Sequence, residues 1–247
     1  MKLSINLNKI ALLRNARGEN YPNLISFAEK AIEIGVDGLT LHPRPDHRHA
    51  TCDDVIELAS LAKTKGVEFN IEGNPFSKPN NEFIGFSKLV EIINPNQITL
   101  VPDTINQITS DHGWFAGPYD SKLKTTIMML RDKCTNAGIS LFIDNLSGIE
   151  YAHEMGADLI EIHTGKFSKF IEKNDERVLK EVKDMIDLAL SKNLKINAGH
   201  DLNLNNLHYL VEMGNINEVS IGHAIIIDSL NYGFKEAVSK YLEIIRK

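Results

Sequence analysis

Several short apolar runs stop at a residue able to move a proton. Leu39-Thr40-Leu41 stops at His42, Phe69-Asn70-Ile71 at Glu72, and Leu159-Ile160-Glu161-Ile162 at His163. Lys195-Ile196-Asn197-Ala198-Gly199 stops at His200, and Val219-Ser220-Ile221-Gly222 at His223. Imidazoles titrate near neutrality, and a carboxyl group among them can be shifted into the same range. The set therefore offers general acids and bases at neutral pH. Groups suited to anions lie beside them. His42-Pro43-Arg44-Pro45-Asp46-His47-Arg48-His49 carries arginines, whose planar fork matches phosphate, on a segment stiffened by two prolines. A solvated basic loop would share its composition but not its stiffness. Asn6-Leu7-Asn8-Lys9, followed by Leu13-Arg14-Asn15-Ala16-Arg17-Gly18, forms a second polar strand end with an arginine loop. Gly222-His223-Ala224 opens a helical pattern, where free backbone N–H groups bind phosphate and glycine lets the backbone approach closely.

Groups so distant in sequence meet only if their strand ends share a face. The pattern predicts eight strands: Leu3–Asn8, Gly38–His42, Val67–Glu72, Gln97–Val101, Ser140–Ile143, Leu159–His163, Lys195–Ala198 and Glu218–Ile221. Helical patterns alternate with them at Leu24–Ile34, from a cap at Asp53 or Asp54 to Lys65, Glu82–Ile93, Lys122–Ala137, from Ser147 to Met155, Asp175–Lys192 and Leu204–Met213. A last one, broken near Tyr232-Gly233, runs to Lys247. Such alternation requires parallel strands with crossover helices, and eight units select a closed (β/α)8 barrel whose C-terminal face gathers the strand-end residues. Glu161 and His163 alternate with Ile160 and Ile162, so they share the strand face that lines the barrel interior, where a glutamate needs a partner. Two connections, 10–21 and 102–121, are long and read as functional loops. The second contains Gly113-Trp114-Phe115-Ala116-Gly117-Pro118, read as a hinged lid that excludes water, or else as an oligomer contact.

The chain has 247 residues, 43% hydrophobic and 24% charged, which suits one barrel domain over 1–247. A net charge of −6 disfavours a nucleic-acid binder. Two cysteines, Cys52 and Cys134, make no disulfide framework and point to the reducing cytoplasm. The polar N-terminus does not resemble a signal peptide, and no apolar run reaches the roughly 18 residues of a membrane span. No strand is followed by Gly-x-Gly-x-x-Gly, which argues against a dinucleotide-binding fold.

Taken in order, Arg14-Asn15-Ala16-Arg17-Gly18, His42 with Arg44 and His49, Leu100-Val101-Pro102, Leu141-Phe142-Ile143-Asp144, Glu161-Ile162-His163-Thr164-Gly165, Asn197-Ala198-Gly199-His200 and Ile221-Gly222-His223-Ala224-Ile225-Ile226 resemble the pyridoxine 5′-phosphate synthase family. The resemblance implies a (β/α)8 TIM barrel with extra helices, assembled as a homo-octamer. It implies a cytoplasmic transferase of vitamin B6 biosynthesis that condenses 3-amino-2-oxopropyl phosphate with 1-deoxy-D-xylulose 5-phosphate into pyridoxine 5′-phosphate, phosphate and water, without metal or organic cofactor. Carried over by motif, His42 and Glu72 are proton acceptors, His200 is the proton donor, and Glu161 stabilises the transition state. Arg44, His49 and Thr109 would hold deoxyxylulose phosphate; Asn6 and Arg17 would hold the aminoketone phosphate, with residue 201, Gly222 and His223 completing its phosphate site. The chain departs from the family's common Asn-Ile-Asp-His at Asn8 and Lys9, which can still bond substrate oxygens. It also departs at Asp201, where a glycine is usual and a carboxylate would repel phosphate.

Two other readings compete. A metal-dependent aldolase or hydrolase would use His42, His163, His200 and His223 as ligands, but they lack a tight His-x-His spacing. A non-catalytic phosphometabolite-binding barrel would have no need of His42, Glu72, Glu161 and His200.

Overall fold

A computed structural model describes residues 1–104, 107–170 and 175–247. Eight parallel strands close into a barrel in chain order, with the first paired to the eighth. They are β1 (Lys2–Asn6), β2 (Gly38–Leu41), β3 (Glu68–Gly73), β4 (Gln97–Leu100), β5 (Gly138–Ile143), β6 (Leu159–His163), β7 (Lys195–Gly199) and β8 (Glu218–Ile221). Strand alternation sorts the side chains. Leu39, Leu41, Ile71, Ile98, Leu100, Leu141, Ile143, Ile160, Ile162, Ile196 and Val219 are buried in the hydrophobic core, as outward-facing residues packed under the helices should be. The opposite set is polar. Ser4 Oγ and Thr40 Oγ1 are 2.7 Å apart, Thr99 Oγ1 donates to Asn70 Oδ1 at 3.0 Å, and Asn197 Nδ2 donates to Gln97 Oε1 at 3.0 Å, all buried. Register places Glu72 opposite Thr99, and Glu161 opposite both Phe142 and Asn197.

The helices among the described residues are α1 (Asn8–Asn15), α2 (Leu24–Ile34), α3 (Cys52–Lys65), α4 (Phe86–Ile93), α5 (Asp120–Lys133), α6 (Leu146–Met155), α7 (Gly165–Ser168), α8 (Glu176–Ser191), α9 (Leu207–Met213), α10 (His223–Tyr232) and α11 (Phe234–Ile245). Eight form the outer ring; α1, α7 and α10 are additional. None of the described helices is long and apolar enough to cross a membrane.

The sequence-based boundaries move where caps were misread. The first half of the 10–21 connection belongs to α1, whose N-cap Leu7 has no capping side chain and so gave no start signal. Helix α3 is capped by Thr51 in a reciprocal box with Asp54, not by Asp53 or Asp54 alone. Asn145, rather than Ser147, caps α6. Helix α4 starts at Phe86, after Gly85 at φ 91°, and α5 ends at Lys133.

Candidate active site

His42 follows β2 directly, at the C-terminal mouth of the barrel, and is held from both sides. Its backbone N–H donates to Asn8 Oδ1 at 3.0 Å, and the Asn8 N–H donates to Asn6 Oδ1 at 3.0 Å. The polar end of β1 thus fixes the end of β2. At the ring, Nδ1 lies 3.6 Å from Glu72 Oε2 and Nε2 lies 3.7 Å from Asp103 Oδ2, all three groups being buried. The same Asp103 oxygen binds Arg44 Nη2 and accepts from Ser110 Oγ at 2.8 Å. Arg44 Nη1 donates to the Gln107 carbonyl at 3.0 Å, so Arg44 clasps the segment after β4.

His49 stands with its ring 6.2 Å from that of His42. Its Nδ1 accepts from the Ala50 N–H at 2.9 Å, which leaves Nε2 as the protonated nitrogen. Burial, then the neighbouring His42, Arg44, Lys9 and Arg48, push its pKa down to about 3. It is a neutral hydrogen-bond donor at physiological pH. Lys9 is half-buried at the start of α1 and contributes its charge to this corner.

The second half of the site lies on β5, β6 and β7. The His163 and His200 rings meet edge to face at 4.9 Å, and Phe142 contacts both, at 5.3 and 5.2 Å. Burial, followed by repulsion from His200, lowers His163 to about 4. Burial also lowers His200, against the pull of Glu72, Asp201 and Asp103. His200 has φ 80°, and Thr164 holds this turn by donating its hydroxyl to the carbonyls of Gly199, at 2.6 Å, and His200. Glu161 faces the interior, as the alternation predicts, and is only half partnered: its carboxyl is hydrogen-bonded to Thr99, while Oε2 is buried with no hydrogen bond among the described residues. Burial, then the charges of Glu72 and Glu218, raise its pKa well above the usual range. Its proton is held more tightly than that of an ordinary glutamate.

The remaining candidates sit at the rim. Arg17 is exposed on the turn after α1, Thr109 is exposed on the segment clasped by Arg44 and Arg48, and Asp201 is exposed at φ 56°. A glycine conformation is thus retained at 201 although the residue is not glycine. Gly222 is half-buried, and a Cβ there would stand 2.8 Å from the Asn6 carbonyl. Exposed His223 begins α10, so the backbone N–H groups of that first turn face the same mouth as Asn6.

The structure brings His42, Glu72, Arg44 and His49 into one cluster and His163 and His200 into another, while Glu161 and His200 each feel the charge of Glu72. Sequence reading missed Asp103 and Phe142. Asp103 carried a usable signal: like His42, it is a titratable residue just past an apolar strand. The lid reading of Gly113–Pro118 is corrected at its start. The Trp114 N–H donates to the Phe142 carbonyl and its indole to the Leu100 carbonyl, each at 2.9 Å, which anchors it to the barrel wall. Among the described residues, no group of three or more His, Cys, Asp or Glu is placed to hold a metal ion.

Comparison with known proteins adds a separate line. The family described as "Pyridoxal phosphate biosynthesis protein PdxJ" matches residues 3–247. A protein of Xylella fastidiosa named pyridoxine 5′-phosphate synthase is 42% identical over 247 residues, covering 99% of this chain and 94% of the relative. One of the same name from Cytophaga hutchinsonii is 42% identical over 248 residues, covering 100% and 99%. Among solved structures, tryptophan synthase of Mycobacterium tuberculosis superimposes with a TM-score of 0.65 at 10% identity over 100% of this chain and 93% of the other. Thiamine phosphate pyrophosphorylase of Pyrococcus furiosus gives 0.61 at 12% identity over 99% and 95%. These last two likenesses concern the barrel fold alone.

Proposed function

The chain belongs to the PdxJ family, and from that premise we propose that it is a pyridoxine 5′-phosphate synthase acting on 3-amino-2-oxopropyl phosphate and 1-deoxy-D-xylulose 5-phosphate. The observation that carries the reading is the His42–Glu72 pair, 3.6 Å apart and buried at the barrel mouth. Joining amine to ketone, expelling phosphate and water, and closing the ring by attack of carbon on the second ketone need proton transfers in both directions. His42 and Glu72 take protons. Glu161, whose proton burial holds more tightly than usual, is assigned to donate an O–H to oxygen that gains negative charge. His200, whose pKa burial lowers, gives up a proton readily once it has acquired one.

The anion-binding groups lie at two ends of this chemistry. Arg44, neutral His49 and Thr109 are assigned to deoxyxylulose phosphate. Asn6 and Arg17, with residue 201, Gly222 and His223 at the α10 start, are assigned to the aminoketone phosphate. Fixing two phosphates aligns the reacting carbons and supplies much of the acceleration as lost translational freedom. Asn8, by holding the His42 backbone, serves the base rather than a substrate. On the same resemblance the reading extends to a cytoplasmic homo-octamer.

The test is turnover. Purified protein is mixed with both substrates while pyridoxine 5′-phosphate and phosphate are followed. Equal amounts of the two products, lost in His42→Ala and Glu72→Gln, are expected. Folded protein that releases neither product refutes the reading.

A further inference from the structure

None of the roles above uses Asp103, which stands between two of the groups they depend on. Its Oδ2 binds the Arg44 guanidinium, accepts from Ser110 Oγ at 2.8 Å and lies 3.7 Å from His42 Nε2. Its Oδ1 is buried with no partner among the described residues. Three acceptors already sit on Arg44 in this arrangement: Asp103 on Nη2, and the carbonyls of Gln107 and Thr104, at 3.0 and 3.5 Å, on Nη1. The cavity that His42, Arg44, Asn74, Ser77 and Asp103 help to line measures 30 Å³, room for a water or two rather than a phosphate. A phosphate reaches this guanidinium by taking the place of a group already on it, and Asp103 is the anion among those groups.

A displaced carboxylate still buried needs a new donor. His42 Nε2 is within a side-chain rotation of it, since 3.7 Å is about 0.8 Å longer than a charge-assisted hydrogen bond. We propose that Asp103 is a positioning residue that changes partner with the substrate: it neutralises Arg44 in the empty site, yields that guanidinium to the phosphate of deoxyxylulose phosphate, and then accepts the Nε2–H of His42. The inference rests on the proposed roles of Arg44 and His42. With its proton held on Nε2, His42 keeps Nδ1 bare on the Glu72 side, where a substrate proton is taken. Only hydrogen bonds are exchanged. The base is thus strengthened when the phosphate is in place. The charged and titratable groups around His42 are Glu72 on β3, Asp103 after β4, Arg44 and His49 on its own segment, and His200 after β7.

The experiment compares Asp103→Asn and Asp103→Glu with the unaltered chain, by calorimetry with deoxyxylulose 5-phosphate and by initial rates across pH. The asparagine removes the competing anion and the acceptor charge. Deoxyxylulose phosphate should bind Asp103→Asn at least as tightly, while kcat falls about tenfold or more and the acid limb of its pH profile moves about one unit lower. Asp103→Glu should recover part of kcat. Weaker binding together with an unmoved acid limb overturns the proposal, because a purely structural role gives that result. A measurement without variants keeps it falsifiable if Asp103→Asn unfolds. On adding deoxyxylulose 5-phosphate to ¹⁵N-histidine-labelled protein, His42 should show a protonated Nε2 and a bare Nδ1; the opposite tautomer refutes the exchange. Full turnover in His42→Ala removes the base reading itself, whereas lost turnover there with an unmoved limb in Asp103→Asn removes only the partner exchange.

Discussion

Gly199 lies directly against Glu161: a Cβ at position 199 would stand 2.4 Å from Glu161 Oε1. The two residues are on neighbouring strands, β6 and β7, and Glu161 is buried inside the barrel, so its carboxyl can make way only against its packed neighbours. Gly199→Ala therefore forces Glu161 out of its rotamer. The expected cost is about 1–3 kcal/mol of stability, as for other overpacked interiors. Turnover should fall more than tenfold, since the displaced group is the one assigned to transition-state stabilisation. Denaturant unfolding and kcat measured on the same preparation check this; native turnover would show that Glu161 does not need its position.

Glu218, at the other end of the barrel, carries a pH dependence of known sign. Burial, then Glu68, push it up to about 8, against the attraction of Lys2. In the unfolded chain a glutamate titrates near 4.3. The folded state thus binds a proton that the unfolded state has already lost. Its stabilising contribution is complete below about pH 4 and is lost as pH rises toward about 8. Glu218→Gln keeps the shape and removes the titration. Its stability relative to the unaltered chain should rise between pH 5 and pH 8.5, by an amount on the order of 4 kcal/mol. Parallel stability curves would mean that the carboxyl is not neutral when folded.

The histidines give the opposite slope. His49 and His163 are lowered to about 3 and about 4, chiefly by burial, whereas unfolded histidine titrates near 6.5. Between about 6.5 and those values the unfolded chain takes up protons that the folded chain refuses, so stability is lost as pH falls. Ring resonances assigned through His49→Gln and His163→Gln should stay constant from pH 5 to pH 8. A titration midpoint above pH 6 for either ring would contradict its burial as the cause.

The barrel was legible because apolar strand runs recur with helical spacing between them, and because His42, Glu72 and His163 end such runs. Glu161 was placed inside from alternation alone. Less local features were not legible. Helix α1 has no side-chain cap. The Asp103–Arg44 contact joins residues 59 apart in the chain, and no spacing rule reports such a pair. The pairing of Glu161 with Thr99 was also beyond reach, since alternation gives the direction of a side chain and not what meets it.

Trp114 shows how a segment read as a hinge can be an anchor. Gly113 and Trp114 have neighbours of the loop type, Gly-Trp-Phe-Ala-Gly-Pro, which suggested freedom. Yet the Trp114 indole donates to the Leu100 carbonyl at 2.9 Å, at the end of β4, and its backbone N–H donates to Phe142 on β5. Phe76 packs edge-on to the ring at 5.9 Å. Replacing Trp114 by Phe keeps much of the apolar contact but strands a buried carbonyl, which costs about 1–3 kcal/mol. For a chain of this size that is a melting temperature lowered by roughly 2–10 °C. Because the described part of the segment between Asp103 and this anchor holds Thr109 and Ser110, loosening it should also raise KM for deoxyxylulose phosphate more than it lowers kcat. Thermal unfolding and steady-state kinetics on Trp114→Phe decide the point: unchanged stability would mean that the indole bond contributes nothing, and a selective fall in kcat would mean that the anchor acts on the chemistry rather than on substrate capture.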